Sequence, residues 1–250
     1  GNVVATGGTA MASYTTLKGA FDAVNAGTHT GTINITLTAN TTETATASLN
    51  ASGTGATFYG TLTIMPSGAV VVSGALDGLP LVELNGADNV TINGLDSGGN
   101  SLIFTNTSTS ATTGTSTLKF VNDASSNNIL NCSILGSTTV ASTTNGGNIW
   151  FSTAASGGNG NDNNNIQLCK IGPAGANLPS KAVWANGTTT ATANFNSNNT
   201  IAQCQIFDYF QAAQISRGIA ISTGNTDWVI QNNAFYQTAP RTQTTGADHD

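Results

Sequence analysis

Charge is scarce in this sequence. Only 7% of its residues are Asp, Glu, Lys or Arg, against roughly a quarter in an ordinary soluble domain. Six basic residues stand against twelve acidic ones, for a net charge of -6. No basic patch can be assembled from so few cations, which excludes nucleic acid and anionic membrane surfaces as expected partners. Histidine is equally rare: His29 falls in a loop and His249 in the tail, so a Ser-His-Asp or Cys-His set has no well-placed base. The three cysteines include no C-x2-C pair and no accompanying histidine, which argues against zinc or an iron-sulfur cluster. Long apolar runs are missing too. The longest candidates, such as AVVVSGAL at 69–76, are strand-sized and far short of the roughly 18 residues that insertion into a bilayer requires. The sequence opens at Gly1 without a methionine or a charged-then-apolar leader, and it reads as a mature or excised segment.

What is abundant is Gly, Asn, Thr and Ser, so the surface is expected to be hydroxyl and amide in place of charge. With 38% hydrophobic residues over 250 positions and 25.2 kDa, one continuous elongated architecture is expected, and the chain is long enough to bury a sizeable core. One convincing helix is predicted over 13–27, SYTTLKGAFDAVNAG. There Tyr14, Leu17, Phe21 and Val24 share a face, Ser13 can cap the start and Gly27 can close the end. From Gly31 onward the period changes to two, in GTINITLTA, GTLTIMPSG and SLIFTNT, with β-branched residues between Gly, Asn and Asp breaks.

The cysteines reveal a repeat. NNILNCSILG (127–136), NNNIQLCKIG (163–172) and NNTIAQCQIF (198–207) share the unit Ile-x-x-Cys-x-Ile/Phe, and VIQNNAF continues it with Asn233 in the cysteine place. DNVTINGLD fits as an earlier member with Asn93 in that place, although Val90 and Ile92 leave its register open. A second strand precedes each unit: LVEL (81–84), LKF (118–120), IWF (149–151), VWA (183–185) and IAI (219–221). Strands that keep their pattern while the loops between them vary describe a solenoid, in which each coil stacks on its neighbours and is free to bulge at its turns. The expected fold is therefore all-β, a right-handed parallel β-helix. Residues 1–30 form an N-terminal segment whose helix caps the open strand edge, and 31–250 form the β-helix. The far end shows no comparable cap, so the chain is read as the N-terminal part of a longer solenoid or as one whose last coil docks on something else.

The helix ending in FDAVNAGTHTGTINITL, then TLTIMPSG, LVELNGADNVTINGLD and the repeated NNxIxxCxI units resemble the right-handed parallel β-helix regions of large secreted and cell-surface proteins of Bacteroidetes-type bacteria. The resemblance covers essentially the whole chain. It implies the fold and an extracellular, secreted or cell-surface location, and it implies no particular activity, because such regions are joined to many different proteins.

Four constellations are candidates for chemistry. Stacked on successive coils, Cys132, Cys169, Cys204 and Asn233 would form one column about 4.8 Å apart, read as reduced packing thiols with an amide that can bond to turn backbone; a disulfide or a metal is the alternative. GGNGND (157–162) reproduces the opening of a calcium-binding nonapeptide, with Asp162 as the weak candidate ligand. It occurs once, however, and Asn164 stands where a large apolar residue should turn inward. GNTDW (224–228) offers Asp227, which resembles an element of β-helical polygalacturonases but lacks the second carboxylate that glycoside hydrolysis needs; a turn residue is the plainer reading. Finally, if Val82, Leu118, Ile149, Val183 and Ile219 face inward, then Glu83, Lys119, Trp150, Trp184 and Ala220 face outward in a column. Trp150 and Trp184 could then stack on sugar rings, unless the long loops before 165 and 198, or another domain, fold over them.

The expectation is a non-enzymatic structural or adhesive segment of an exported or cell-surface bacterial protein. It would need no cofactor, with calcium as the one possible exception. Its partners would be an extracellular glycan, a surface protein or adjoining domains of its own chain. The alternative is a carbohydrate-binding or polysaccharide-degrading module, as a hydrolase or a lyase. Ice binding by outward threonines is a lesser possibility, because TNTSTSATTGTST and TTTATA fall in irregular loops.

Overall fold

The computed structural model describes residues 1–244. The chain is a parallel β-solenoid of about six turns with one α-helix near its N-terminus. Each turn contributes three strands to three parallel sheets, as Pro80–Asn85, Val90–Asn93 and Ser101–Asn106 do for the third, first and second sheets. In-register pairing builds continuous inward columns. Ile92, Ile129, Ile166, Ile201 and Ile230 stack in the first sheet, and Phe104, Ile134, Ile171, Ile206 and Phe235 in the second. Leu84, Phe120, Phe151, Ala185 and Ile221 stack in the third. The period-two pattern of the sequence becomes buried columns on the inner face of each sheet, each fully buried Leu, Ile or Phe contributing roughly 1.5–3 kcal/mol.

The Ile-x-x-Cys-x-Ile unit contains a corner. Ile129 lies in the first-sheet strand Asn128–Leu130 and Cys132 opens the second-sheet strand Cys132–Gly136. Between them Asn131 takes a left-handed backbone with φ 55°, as Leu168, Gln203 and Asn232 do on later coils. Asn93 does not stand in the cysteine column. It pairs with Leu130, and Leu102 pairs with Cys132, because the loop Gly94 to Asn100 separates the two strands on that coil.

The corner between the third and first sheets is more ordered still. Asn89, Ser126, Asn163, Asn198 and Asp227 occupy it on successive coils with φ between 55° and 58°. The residue that follows turns inward. Asn127, Asn164 and Asn199 are fully buried and joined in a ladder: Asn127 Nδ2 donates to Asn164 Oδ1 at 2.9 Å, and Asn164 Nδ2 to Asn199 Oδ1 at 3.0 Å. Each amide also bonds the backbone of the coil before it. Asn164 Oδ1 accepts from Asn127 N at 3.1 Å and its Nδ2 donates to Ala124 O at 2.9 Å. Asn161, Asn196 and Asn225 form a second ladder beside the first. Asn164, which interrupts the calcium pattern for want of an apolar side chain, does point inward, as an amide.

At the N-terminal end the helix is shorter than predicted. It runs Leu17–Asn25 with Thr16 as its cap, its hydroxyl accepting from Gly19 N. Tyr14 and Ser13 belong instead to a strand, Ala10–Tyr14, which pairs antiparallel with Val3–Gly7, and that strand extends the first sheet beyond Gly31–Leu37. The cap is thus a helix and a hairpin. Leu17, Ala20, Phe21 and Val24 close the apolar interior. The buried Glu43 carboxylate accepts from Leu17 N and Lys18 N at 2.9 and 3.0 Å, neutralising the positive end of the helix. Asn25 bonds the open strand edge in both directions, donating to Ser48 O and accepting from Asn50 N.

Replacing Asn164 by Leu leaves Asn127 N and Ala124 O without partners, and each such group costs about 1–3 kcal/mol. The variant is expected to lose about 3 kcal/mol or more in denaturant unfolding, while Asn165→Ala, whose side chain makes only a long bond to Asn128, stays within about 0.5 kcal/mol. His29 is buried in the cap with Tyr14 Oη 2.8 Å from its Nε2, and burial holds its imidazole below the ordinary value of 6.5. The unfolded chain therefore binds this proton before the folded one does, so the stability His29 confers is complete above pH 6.5 and declines as the pH falls below it. His29→Gln is expected to flatten the slope of unfolding free energy just below that pH.

Candidate functional site

The cysteine column is a packing element. Cys132, Cys169 and Cys204 are free and buried, and each thiol lies over the carbonyl of the first-sheet isoleucine one coil earlier: Ile92 O at 3.9 Å, Ile129 O at 3.4 Å and Ile166 O at 3.6 Å. Asn233 completes the series, its Nδ2 donating to Ile201 O and its Oδ1 accepting from Cys204 N, both at 2.8 Å. Burial pushes the Cys132 thiol up to about 12. The neighbouring Cys204 thiol and burial together raise Cys169. Cys132 and Cys169, raised in this way, are neither nucleophiles nor metal ligands at neutral pH; the hydrogen bond with Cys169 lowers Cys204, which stays buried behind the same strands.

Pairing places Glu83, Lys119, Trp150, Trp184 and Ala220 in one column on the outer face of the third sheet. That face is roofed. Trp150 retains 8% exposure and Trp184 5%, so neither presents a flat ring to a sugar. The cover is the loop before Gly147: Trp184 Nε1 donates to Asn145 Oδ1 at 3.0 Å, and Lys181 Nζ donates to Ala141 O at 2.9 Å and to Thr144 O. Lysines complete the packing, with Lys119 Nζ 4.7 Å from the Trp150 ring centre and Lys181 Nζ 4.4 Å from that of Trp184. Burial, with the Arg217 charge adding to it, pushes the Lys181 amine down to about 7.

The GGNG stretch folds around a carboxylate. Asp123 Oδ1 accepts from Gly160 N at 2.8 Å and Ala155 N at 3.2 Å. Gly158 passes so close that a Cβ there would lie 1.8 Å from Asp123 Oδ2, which is why glycine is needed at that point. Backbone N–H groups converge here where a calcium site needs carbonyl oxygens, so the residues do not fit the ion. Asp162 itself accepts from Ser197 N at 2.7 Å. Burial raises its carboxyl, opposed by the Ser197 amide and hydroxyl and assisted by the Asp123 charge. Among the described residues no three His, Cys, Asp or Glu side chains gather as a metal site. Asp227 is the corner residue of the last coil, its carboxylate accepting from Thr226 Oγ1.

A groove that sequence reasoning missed lies at the corner of the early coils. It has a volume of about 560 Å³, and Asn50, Asn85, Asn122, Asp88, Asp123 and Ser156 are among the residues that line it. The three asparagines step along successive coils, Asn122 Nδ2 donating to Asn85 Oδ1 at 2.7 Å and Asn85 Nδ2 to Asn50 Oδ1 at 3.0 Å. Asp88 Oδ1 accepts from Ser125 N at 2.8 Å. Burial raises the Asp88 carboxyl; the Ser125 amide opposes this and the Asp123 charge adds to it. The signal was present in LVELNG and LKFVND, where Asn85 ends one third-sheet strand and Asn122 follows the next. It lay outside the cysteine-anchored unit.

No family model matches the chain, and no curated protein matches it. Among solved structures it is similar to the pectin methylesterase of Aspergillus niger, at 14% identity over 96% of this chain and 91% of that one with a TM-score of 0.35. It is also similar to ORF18 of Geobacillus virus E2, at 13% identity over 88% and 56% with a TM-score of 0.20. Overlaps of that size assign this chain no activity.

In the folded protein the three thiols are expected to resist a thiol reagent at pH 8 and to react together once denaturant unfolds the chain. Fast modification of any one of them in the native state would show that the column is open to solvent.

Proposed function

We propose that the chain is a rigid, non-enzymatic solenoid of an exported or cell-surface protein, and that it attaches to neutral glycans through the corner groove. The observation that carries this reading is the hydrogen-bonded line of Asn50, Asn85 and Asn122 in the groove lining. An amide supplies two N–H donors and a two-lone-pair acceptor; the ladder uses one donor and one lone pair of Asn85, leaving one of each for a ligand. Asn50 and Asn85 are paired at the inter-strand spacing of about 4.8 Å, and Asn122, one residue past the partner of Asn85, extends the line of amides; such a line suits a chain ligand bearing several hydroxyls. Asp88 and Asp123 add acceptors and repel uronates and other anionic sugars, as does the net charge of -6. No aromatic residue lines the groove, so single-site binding is weak, with Kd near about 1 mM, and adhesion depends on many copies acting together. The low charge and the hydroxyl-rich surface support an extracellular setting.

Titration of the protein with neutral oligosaccharides chosen from a glycan array, followed by NMR or calorimetry, tests this. The double variant Asn85→Ala/Asn122→Ala is expected to bind at least about tenfold more weakly, and Trp150→Phe to bind like the parent. Binding restricted to acidic glycans, or unchanged in the double variant, overturns the reading. Release of reducing ends that disappears in Asp88→Asn would replace adhesion by hydrolysis.

A further inference from the structure

Asparagine followed by glycine is the dipeptide most open to an internal rearrangement, because the glycine N–H has no side chain beside it and can reach the carbonyl carbon of the asparagine side chain. The sequence has five such pairs, beginning at Asn85, Asn93, Asn145, Asn159 and Asn186. In four of them the fold ties up the glycine nitrogen. Gly86 N donates to Val121 O and Gly94 N to Leu130 O, both at 2.8 Å, and Gly187 N donates to Thr223 O at 2.9 Å. Gly160 N donates to Asp123 Oδ1 at 2.8 Å. Gly146 N donates to no group among the described residues.

The side chain of Asn145 is arranged in the opposite sense. Its Oδ1 accepts from Trp184 Nε1 at 3.0 Å and from Asn186 Nδ2 at 3.1 Å, two donors that draw electrons from the carbonyl carbon and steady negative charge on the oxygen. Its Nδ2 donates to no group among the described residues, whereas Asn85 Nδ2 is bonded to Asn50 Oδ1 and Asn186 Nδ2 to Asn145 itself. The main chain is fixed on both sides: Asn145 O accepts from Gly114 N at 2.9 Å, and Gly147 N donates to Thr115 O at 3.2 Å. Between them Gly146 has φ 129°, and a Cβ on it would stand 2.8 Å from Thr115 O, so the fold itself requires glycine after Asn145. A free nucleophile, a polarised carbonyl and a free leaving group coincide at this pair and at none of the other four.

We infer that Asn145-Gly146 is a site of self-modification by deamidation, and that its isoaspartyl product loosens the cover over Trp150 and Trp184. Gly146 N attacks Cγ of Asn145. The N–Cγ bond forms as the Cγ–Nδ2 bond breaks, and the proton of Gly146 N leaves with the amide as ammonia, giving a cyclic imide. Asn145 is half-buried, so water reaches the imide and opens it at either carbonyl. One opening leaves an aspartyl residue with an ordinary main chain. The other leaves an isoaspartyl residue, whose main chain runs through the former side chain and gains one carbon. The carbonyl that accepts from Gly114 N then becomes a free carboxylate. A main chain lengthened in this way cannot keep the bonds to both Gly114 and Trp184 in their present geometry. The loop whose Ala141 and Thr144 carbonyls hold Lys181 is thereby released at the end nearest Gly147.

Peptide mapping by mass spectrometry of the native protein incubated at pH 8, beside a sample held unfolded in denaturant, tests this. In the unfolded chain the five pairs are expected to deamidate at similar rates. In the native protein Asn145 is expected to lead the other four by about tenfold, the rate equivalent of the one hydrogen bond that each of the other glycine nitrogens must first break. This comparison needs no variant to fold. The indole N–H of Trp184 is expected to exchange with solvent faster in the isoaspartyl product than in the parent. Asn145→Gln, whose longer side chain disfavours the ring closure, is expected to remain unmodified at this position and to keep slow indole exchange throughout the incubation. Equal native rates at the five pairs, a different pair in the lead, or Trp184 exchange unchanged in the product would overturn the proposal.

Discussion

Every turn of a solenoid must take its backbone round three corners, and at a corner the N–H and C=O groups leave the sheet while still buried. Leaving such groups unpaired costs more than any single apolar contact returns. Here the debt at one corner is met by asparagine. Each buried amide accepts from one coil and donates to another, so two adjacent coils can pair only in one register. That register places Ile above Ile and Phe120 above Phe151, whose rings stack 4.3 Å apart, and it puts the thiols in line. The apolar columns supply most of the stabilisation, and the ladders decide which stacking receives it.

The same constraint explains where reactive groups are found. The thiols, the Trp150 and Trp184 pair, Lys181 and the GGNG loop each resemble a site when read alone, and each is occupied by the fold itself. The thiols lie over carbonyls, the lysine holds a covering loop, and the glycines wrap Asp123. The line of amides at the corner of the early coils is not used up in this way, since Asn85 keeps a donor and a lone pair beyond its two ladder bonds. Its chemistry is that of the surface as a whole, amide and hydroxyl with a few carboxylates, arranged in steps by the coils beneath.

Much of the fold was legible because period two, the cysteine spacing and the strand before each unit are local patterns. Those three features identified the coils, the outward column and the inward set. Less legible was anything that depends on how a corner is turned. NNILNC and NNNIQLC show an Asn two residues before each Ile, but an Asn in a polar run reads as loop until the register shows it buried. Val3 to Tyr14 alternates on either side of Gly7-Gly8, a hairpin pattern overshadowed by the stronger helix after it; Tyr14 was drawn into that helix because it lies three residues before Leu17. The indoles were placed on the correct face, but their covering comes from Ala141 to Asn145, a stretch whose sequence gives no sign of what it will lie upon. The groove joins short pieces of successive coils, with Asn50, Asn85 and Asn122 lying 35 and 37 residues apart, and the Asn at the end of a strand is too common here to mark it.

The sealed column of sulfur has a meaning for the life of the protein outside the fold itself. Many proteins that work beyond the cytoplasm rely on covalent cross-links that must be made correctly, by an oxidant and often an isomerase, before they are sound. This chain sets its three cysteines one per coil, over carbonyls and buried, so over these 250 residues no disulfide is there for a change of redox environment to break. Folding of this segment therefore waits on no oxidant and no isomerase.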